Sequence, residues 1–250
     1  MEAPLCIPEL ARAKGGGRVF VVGDVHACAA ELEALLRAAS PGADDRVVFV
    51  GDLVDRGPDV RRVFDLVGEV RGELVLGNHE DKFLKWRAGQ CGAPARPVHL
   101  APHHYYTLEQ LRAADWETME AAYPYLELPE FEALVVHAGL RPGVPLAAQD
   151  PDDLCRLQSI GPSGRRRKLR TEGAYFWATA CDHPGWVFYG HTQFRTPMRY
   201  ERTLGLDTGC CFGGYLTALE LPAGRLHQVK AARNYGLELY RRFYPDRADL

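Results

Sequence analysis

No Cys-x-x-Cys pair occurs in this chain of 250 residues, although it has seven cysteines, at 6, 28, 91, 155, 181, 210 and 211. An odd number at irregular spacing argues against a disulfide framework or a thiolate zinc site, and buried, inert thiols are expected. Also missing are an apolar run near the roughly 18 residues of a membrane span and a basic leader with an apolar core. The expectation is a cytoplasmic protein with no membrane partner. Neither charge is in excess: 30 Lys+Arg stand against 33 Asp+Glu, for a net charge of -3. That leaves no general footprint for duplex nucleic acid, so an anionic substrate must be captured locally. Lysine is scarce, 5 residues against 25 arginines, and Arg is the better fork for phosphate. The composition, 46% hydrophobic and 25% charged, is that of an ordinary globular chain able to bury a full core. It is read as one domain over residues 1–250 with a core at about 18–230.

Short apolar runs end repeatedly in polar clusters. RVFVV leads into Gly23-Asp24, RVVFV into Gly51-Asp52, ELVL into Gly77-Asn78-His79, ALVV into His137-Ala-Gly, and WVFY into Gly190-His191-Thr192. Four or five residues rich in Val and aromatics predict buried strands. Between the first strands, Leu32, Leu35, Leu36 and Ala39, then Val60, Val63, Phe64 and Val67, repeat at helical spacing, the second set behind Pro58. Strand alternating with helix over residues 18–78 is the pattern of βαβ units, whose ligands gather beyond the carboxyl ends of the strands. All five clusters are therefore expected on one rim. Residues 80–130 read as mostly helical, with one segment starting near Asp115. Residues 141–173, rich in Pro, Gly and charge, read as a long loop or lid, and 215–232 as a closing hairpin.

The strand-end residues are Asp24, His26, Asp52, Asp55, Arg56, Asn78, His79, His137 and His191. Carboxylates, imidazoles and one amide suit Mn, Fe, Co, Ni or Zn better than Mg or Ca. One ion needs three or four such ligands, and two would use nearly all. A bridging carboxylate lets two cations sit close together and activate the water between them. Asp52, central in the series, is the expected bridge.

Gly23-Asp-Val-His26, Gly51-Asp-Leu-Val-Asp-Arg-Gly57, Gly77-Asn-His-Glu80, His137-Ala-Gly139 and Gly190-His-Thr192 stand in the order of the calcineurin-like binuclear metallophosphoesterases. The chain resembles their phosphoprotein phosphatase branch. Its segment from Leu206 to Glu220, LDTGCCFGGYLTALE, resembles the C-terminal signature of bacterial symmetrical diadenosine tetraphosphatases and related bacterial phosphatases. The resemblance implies an α/β fold, a β-sandwich flanked by helices in four layers, α/β/β/α. It also implies two divalent metal ions, Mn2+ foremost with Co, Ni, Fe or Zn as alternatives. Asp24, His26 and Asp52 would hold one, and Asp52, Asn78, His137 and His191 the other. A metal-bridging hydroxide would attack phosphorus in line. His79 would protonate the leaving oxygen, Asp55 would hold the His79 ring by a hydrogen bond, and Arg56 would grip the phosphate oxygens. Arg56, Asn78 and His79 are thus the expected substrate contacts.

The implied activity is hydrolysis of a dinucleoside polyphosphate, diadenosine tetraphosphate giving two ADP. Dephosphorylation of protein Ser/Thr or Tyr, and phosphatase action on RNA 2′,3′-phosphate ends, remain alternatives. Family members usually carry Gly where this chain has Ala27. A positive φ there would cost of order 1 kcal/mol, and the expectation is that Ala27 opens the following helix instead. A second phosphate-binding Arg is expected after His137, with Arg141, Arg156 and the run Arg165 to Arg170 as candidates; the run is read first as a solvated loop, with a hold on a polyphosphate tail as the alternative. His99, His103 and His104, clustered with Tyr105 and Tyr106, are read as loop residues, with stacking on a nucleobase as the alternative, and Cys210-Cys211 as packing near the rim.

Overall fold

The computed structural model describes residues 17–91 and 97–245. In chain order the elements are β1 (Val19–Val22), α1 (Ala29–Ala39), β2 (Arg46–Phe49), α2 (Val60–Glu69), β3 (Glu73–Leu74), α3 (Asn78–Gln90), α4 (Pro102–Leu108), α5 (Ala113–Glu120), β4 (Tyr125–Leu128) and β5 (Ala133–Val136). There follow α6 (Pro151–Arg156), β6 (Ser159–Ile160), β7 (Arg166–Arg167), β8 (Tyr175–Phe176), β9 (Trp186–Tyr189), β10 (Met198–Tyr200), β11 (Thr203–Gly205), β12 (Tyr215–Leu221), β13 (Arg225–Lys230) and α7 (Tyr235–Phe243).

Two five-stranded sheets face each other, one ordered β13-β12-β1-β2-β3 and the other β10-β11-β9-β5-β4. β1, β2 and β3 run parallel in one sheet and β5, β9 and β11 in the other. β12 and β13 join the first sheet by antiparallel pairing, and β4 and β10 the second. All four residues of β1, β5 and β9 are buried, as expected of strands covered on both faces. Val19 and Val21 pack with Val48, Leu128, Val135, Phe188 and Leu219 between the sheets. Their neighbours Phe20 and Val22 turn the other way, onto Leu32 and Leu35 of α1 and Val63 of α2. Each buried Val or Leu contributes roughly 1.5–3 kcal/mol, so alternate burial fixes both the strand register and the helix faces.

The outer face of the second sheet is covered by residues 140–178. Leu140, Leu154, Leu157, Ile160, Phe176 and Trp177 pack on Leu134, Val136, Val187 and Tyr189. This fourth layer is ordered, which corrects the reading of 141–173 as a loop. It contains α6 and a small sheet ordered β7-β6-β8, so its helical content is slight. Arginine–carboxylate pairs hold it: Arg141 to Asp153 at 2.6 Å and Arg166 to Asp152 at 2.6 Å. Such pairs leave no hydrophobic period for a sequence to display. The 80–130 region holds α3, α4 and α5 but ends in β4, and α5 begins at Ala113.

Candidate metal centre

The parallel strands of both sheets end on one rim, and the turns that follow bring the polar clusters together. Gly51, at φ 111°, leaves room that a Cβ could not share, since that atom would stand 2.7 Å from Nδ1 of His137. At Gly190 a Cβ would come within 1.9 Å of Oδ1 of Asp24. Several side-chain-bearing residues of the rim are themselves left-handed: His26 (φ 48°), Ala27 (φ 54°), Asp52 (φ 53°), Asp55 (φ 70°), Arg56 (φ 69°) and His191 (φ 61°). Ala27 therefore does not open the helix; α1 begins two residues later, at Ala29.

Asp52 is at the centre. Its Oδ1 lies 3.4 Å from Nε2 of His137, while Oδ2 lies 3.5 Å from Nε2 of His26 and 3.9 Å from Nε2 of His79. Candidate ligand atoms fall into two groups that share this residue: His26, Asp52 and His79, then Asp52, His137 and His191. Asn78, first residue of α3, places Oδ1 3.1 Å from Nε2 of His137. Asp24 accepts the backbone N–H of His191 at 3.1 Å, which ties the first strand turn to the last. The His26 and His79 ring centroids are 4.8 Å apart, and those of His137 and His191 are 5.2 Å apart.

The donor chemistry fits divalent cations. Nδ1 of His26 lies 3.0 Å from the carbonyl of Val54, and Nδ1 of His137 lies 2.9 Å from that of Val50. A carbonyl accepts only, so each Nδ1 is the N–H donor. Burial keeps both rings neutral by pushing His26 well below and His137 below the ordinary histidine range. Each Nε2 is then a lone pair directed at a carboxylate oxygen of Asp52, an arrangement that a cation between them reconciles. Burial also drives His191 down to about 3. Asp24 is driven well above the carboxylate range by burial and by the charges of Asp207 and Asp52, a repulsion that bound cations would relieve.

Around this centre stand the other predicted residues. Asp55 Oδ2 lies 2.8 Å from Nδ1 of His79, and the backbone N–H of His79 donates to Asp52 Oδ1 at 3.0 Å. Arg56 directs Nη1 to Nε2 of His26 at 2.9 Å and lies over the Phe212 ring at 5.2 Å. Of the candidate second arginines, Arg156 comes nearest the rim, donating to the Asn78 carbonyl at 3.4 Å and to Asp81 at 2.5 Å. Arg141 is engaged with Asp153 and the Gly164 carbonyl. In the 165–170 run, Arg166 is bound to α6 through Asp152.

Three residues were missed by sequence reasoning. Glu80 accepts the N–H groups of Asp52, Leu53 and Val54 at 2.8, 2.8 and 3.1 Å. Burial and the charge of Asp52 push it up to about 8 against those donors. It stands in the Gly77-Asn-His-Glu80 motif, which was the available signal. Asp207 is buried beside Asp24 and pushed up to about 6 by burial. His104 is in α4, not in a loop, with Nε2 3.4 Å from Asp55 Oδ2. His103 is also in α4, its ring centroid 4.1 Å from that of His104. Cys28, Cys210 and Cys211 are buried free thiols, while Cys6 lies outside the described residues.

Comparison with known proteins matches residues 17–205 to the family model described as calcineurin-like phosphoesterase. A bis(5'-nucleosyl)-tetraphosphatase PrpE from Geobacillus sp. (strain WCH70), designated asymmetrical, is 29% identical over 90% of this chain and 99% of its own length. Another of the same name and designation, from Bacillus subtilis (strain 168), is 28% identical over 88% and 98%. Among solved structures, a crystal structure described as that of a candidate diadenosine tetraphosphatase superposes with a TM-score of 0.75. It is 30% identical and covers 88% of this chain and 96% of that one.

Proposed function

The chain belongs to the calcineurin-like phosphoesterases and is a metal-dependent phosphoester hydrolase; from that premise we propose that it cleaves dinucleoside tetraphosphates at the centre shared by Asp52. The observation that carries this reading is the division of one carboxylate between two donor groups, His26 with His79 on one side and His137 with His191 on the other, with Arg56 beside them. Asp24, His26 and Asp52 would hold one cation, and Asp52, Asn78, His137 and His191 the other, with Mn2+ as the expected metal. Two such cations would supply a water acidic enough to act as nucleophile near neutral pH and would neutralise charge on the phosphoryl oxygens.

The side chains divide the remaining work. Arg56, half-buried at the rim, can fork onto nonbridging oxygens as charge develops there. His79 offers Nε2 toward the site while Asp55 fixes Nδ1, which orients the ring to hand a proton to the departing oxygen. Relatives named as tetraphosphatases support the dinucleotide, and their asymmetrical designation favours an off-centre cut, to a nucleoside triphosphate and a monophosphate. The C-terminal signature favours a central cut to two diphosphates. Unpaired buried thiols support a reducing, cytoplasmic location, and no helix among the described residues is long and apolar enough to cross a membrane. The sandwich built from both ends of the chain supports a single domain.

The test is product analysis of the Mn2+-loaded protein with diadenosine tetraphosphate. ATP plus AMP supports the off-centre cut, and two ADP the central one. No reaction beside efficient phosphopeptide turnover would overturn the substrate class.

A further inference from the structure

A groove of ≈ 160 Å3 opens beside Arg56 and runs between α4 and α7, below the roughly 300 Å3 at which drug-sized sites begin, so it suits a single flat ring rather than a whole drug-sized ligand. Arg56, Tyr106, Arg233, Tyr235, Glu238 and Arg242 form its functional lining. Three guanidinium groups thus face a single carboxylate, so the groove favours an anion. It also presents flat faces: the Arg242 guanidinium lies 5.2 Å over the Tyr106 ring, and that of Arg233 lies 5.2 Å over the Tyr235 ring.

Both walls are held in place. Tyr106 donates its hydroxyl to the carbonyl of Pro58 at 3.0 Å, fixing α4 against the turn that carries Arg56. Tyr235 donates to Glu31 of α1 at 2.8 Å, and Asn234 caps α7 through the N–H of Leu237 at 2.9 Å. Arg233 and Glu238 are paired at 3.4 Å across the first turn of α7.

The geometry points to a nucleoside subsite: a nucleotide whose phosphate is gripped by Arg56 lays its base in this groove, stacked on the Arg242 guanidinium that the Tyr106 ring backs from its other side, with Glu238 available to an exocyclic amine. Guanidinium planes and phenol rings are the surfaces on which single, unpaired bases stack. The subsite rests on the proposed dinucleotide substrate and deepens it, since it explains how a centre needing only phosphate would prefer a nucleotide. A phosphoserine or phosphothreonine peptide gains nothing specific from rigid stacking planes.

The experiment compares the Mn2+-loaded wild type with Tyr106→Ala, Tyr106→Phe and Arg242→Ala on diadenosine tetraphosphate and on p-nitrophenyl phosphate, which carries no base. Both Ala variants should raise KM for the dinucleotide roughly 10-fold and leave kcat/KM for p-nitrophenyl phosphate within about twofold. Tyr106→Phe, which keeps the ring and loses the bond to Pro58, should stay near wild type. Unchanged dinucleotide KM in both Ala variants, or equal losses on both substrates, would overturn the subsite. Inhibition of p-nitrophenyl phosphate turnover by AMP and by inorganic phosphate separates this from the substrate reading. If the dinucleotide proves inert, stronger inhibition by AMP that Tyr106→Ala abolishes still supports base binding. Equal inhibition by AMP and phosphate refutes it.

Discussion

Glu80 holds Asp52 in place: its carboxylate takes the Asp52 N–H at 2.8 Å while its other oxygen takes those of Leu53 and Val54. Asp52 is thereby kept at φ 53°, with one carboxylate oxygen toward each donor group. A buried residue four positions from the last apolar run thus shapes the centre without touching it as a ligand.

Glu80→Gln replaces one of the two acceptor oxygens by an NH2 group and leaves at least one buried N–H of the Asp52 turn unpaired. The cost should be about 1–3 kcal/mol, read as a fall in thermal midpoint. Because Asp52 serves both groups, metal analysis should find both sites weakened together. Loss of one ion with the other fully retained would show that the turn is held by something else.

Asp52→Asn and His79→Asn should separate metal binding from proton transfer. The first should abolish turnover and lower metal content. In His79→Asn both ions should remain, with kcat for substrates of poor leaving group falling about 10²- to 10⁴-fold and activated aryl phosphates affected far less. Equal losses across leaving groups would remove His79 from the acid role.

His104 approaches the oxygen of Asp55 that also meets His79. The Ala101 N–H donates to Nδ1 of His104 at 2.8 Å, so its proton is on Nε2, 3.4 Å from Asp55 Oδ2. Lys82 Nζ stands 3.1 Å from the same Nε2, and burial lowers the Lys82 ammonium toward the neutral amine that can accept this N–H. His104→Ala should loosen Asp55 and lower kcat roughly 10-fold, with KM little changed, most for poor leaving groups. His104→Gln, which can keep an N–H near Asp55, should recover part of the loss. A uniform effect on KM, or none on kcat, would make the contact merely structural.

The fourth layer should loosen in acid. Burial works to raise the Asp152 carboxyl, but its hydrogen bond to Arg166 and the charges of Arg156, Arg166 and Lys85 prevail and hold it below the usual range. Its stabilising contribution is complete above the unfolded carboxyl pKa of about 3.9 and disappears as pH falls through the lower folded value. Pepsin cleavage within 141–173 should accelerate below about pH 4. Asp152→Asn should show faster cleavage already at pH 5, and identical rates for variant and wild type throughout would sink the idea.

The strands and both helices on the first sheet were legible because burial leaves a local trace: Val19 to Val22 and Leu32, Leu35 and Ala39 advertise their faces. The convergence of Asp24, Asp52, His137 and His191 followed from strand-end placement alone. The order in 141–173 was hidden because Arg141, Arg156 and Arg166 find carboxylates through tertiary contacts, with no periodicity. Glu80 and His104 were hidden for a related reason: their partners are backbone groups or a carboxylate distant in sequence. At Ala27 the helix propensity of alanine misled, since the backbone there serves the turn rather than α1.

The left-handed residues of the rim set a ceiling on how far this chain can be thermostabilised. Each non-glycine residue at positive φ carries of order 1 kcal/mol of backbone strain, and at His26, Asp52, Asp55, Arg56 and His191 the relieving glycine would delete a group of the site. Ala27 alone can be exchanged without that loss. A consensus or design campaign should therefore find its gains in the helices and the sheet edges, and the rim should resist improvement while the activity is selected.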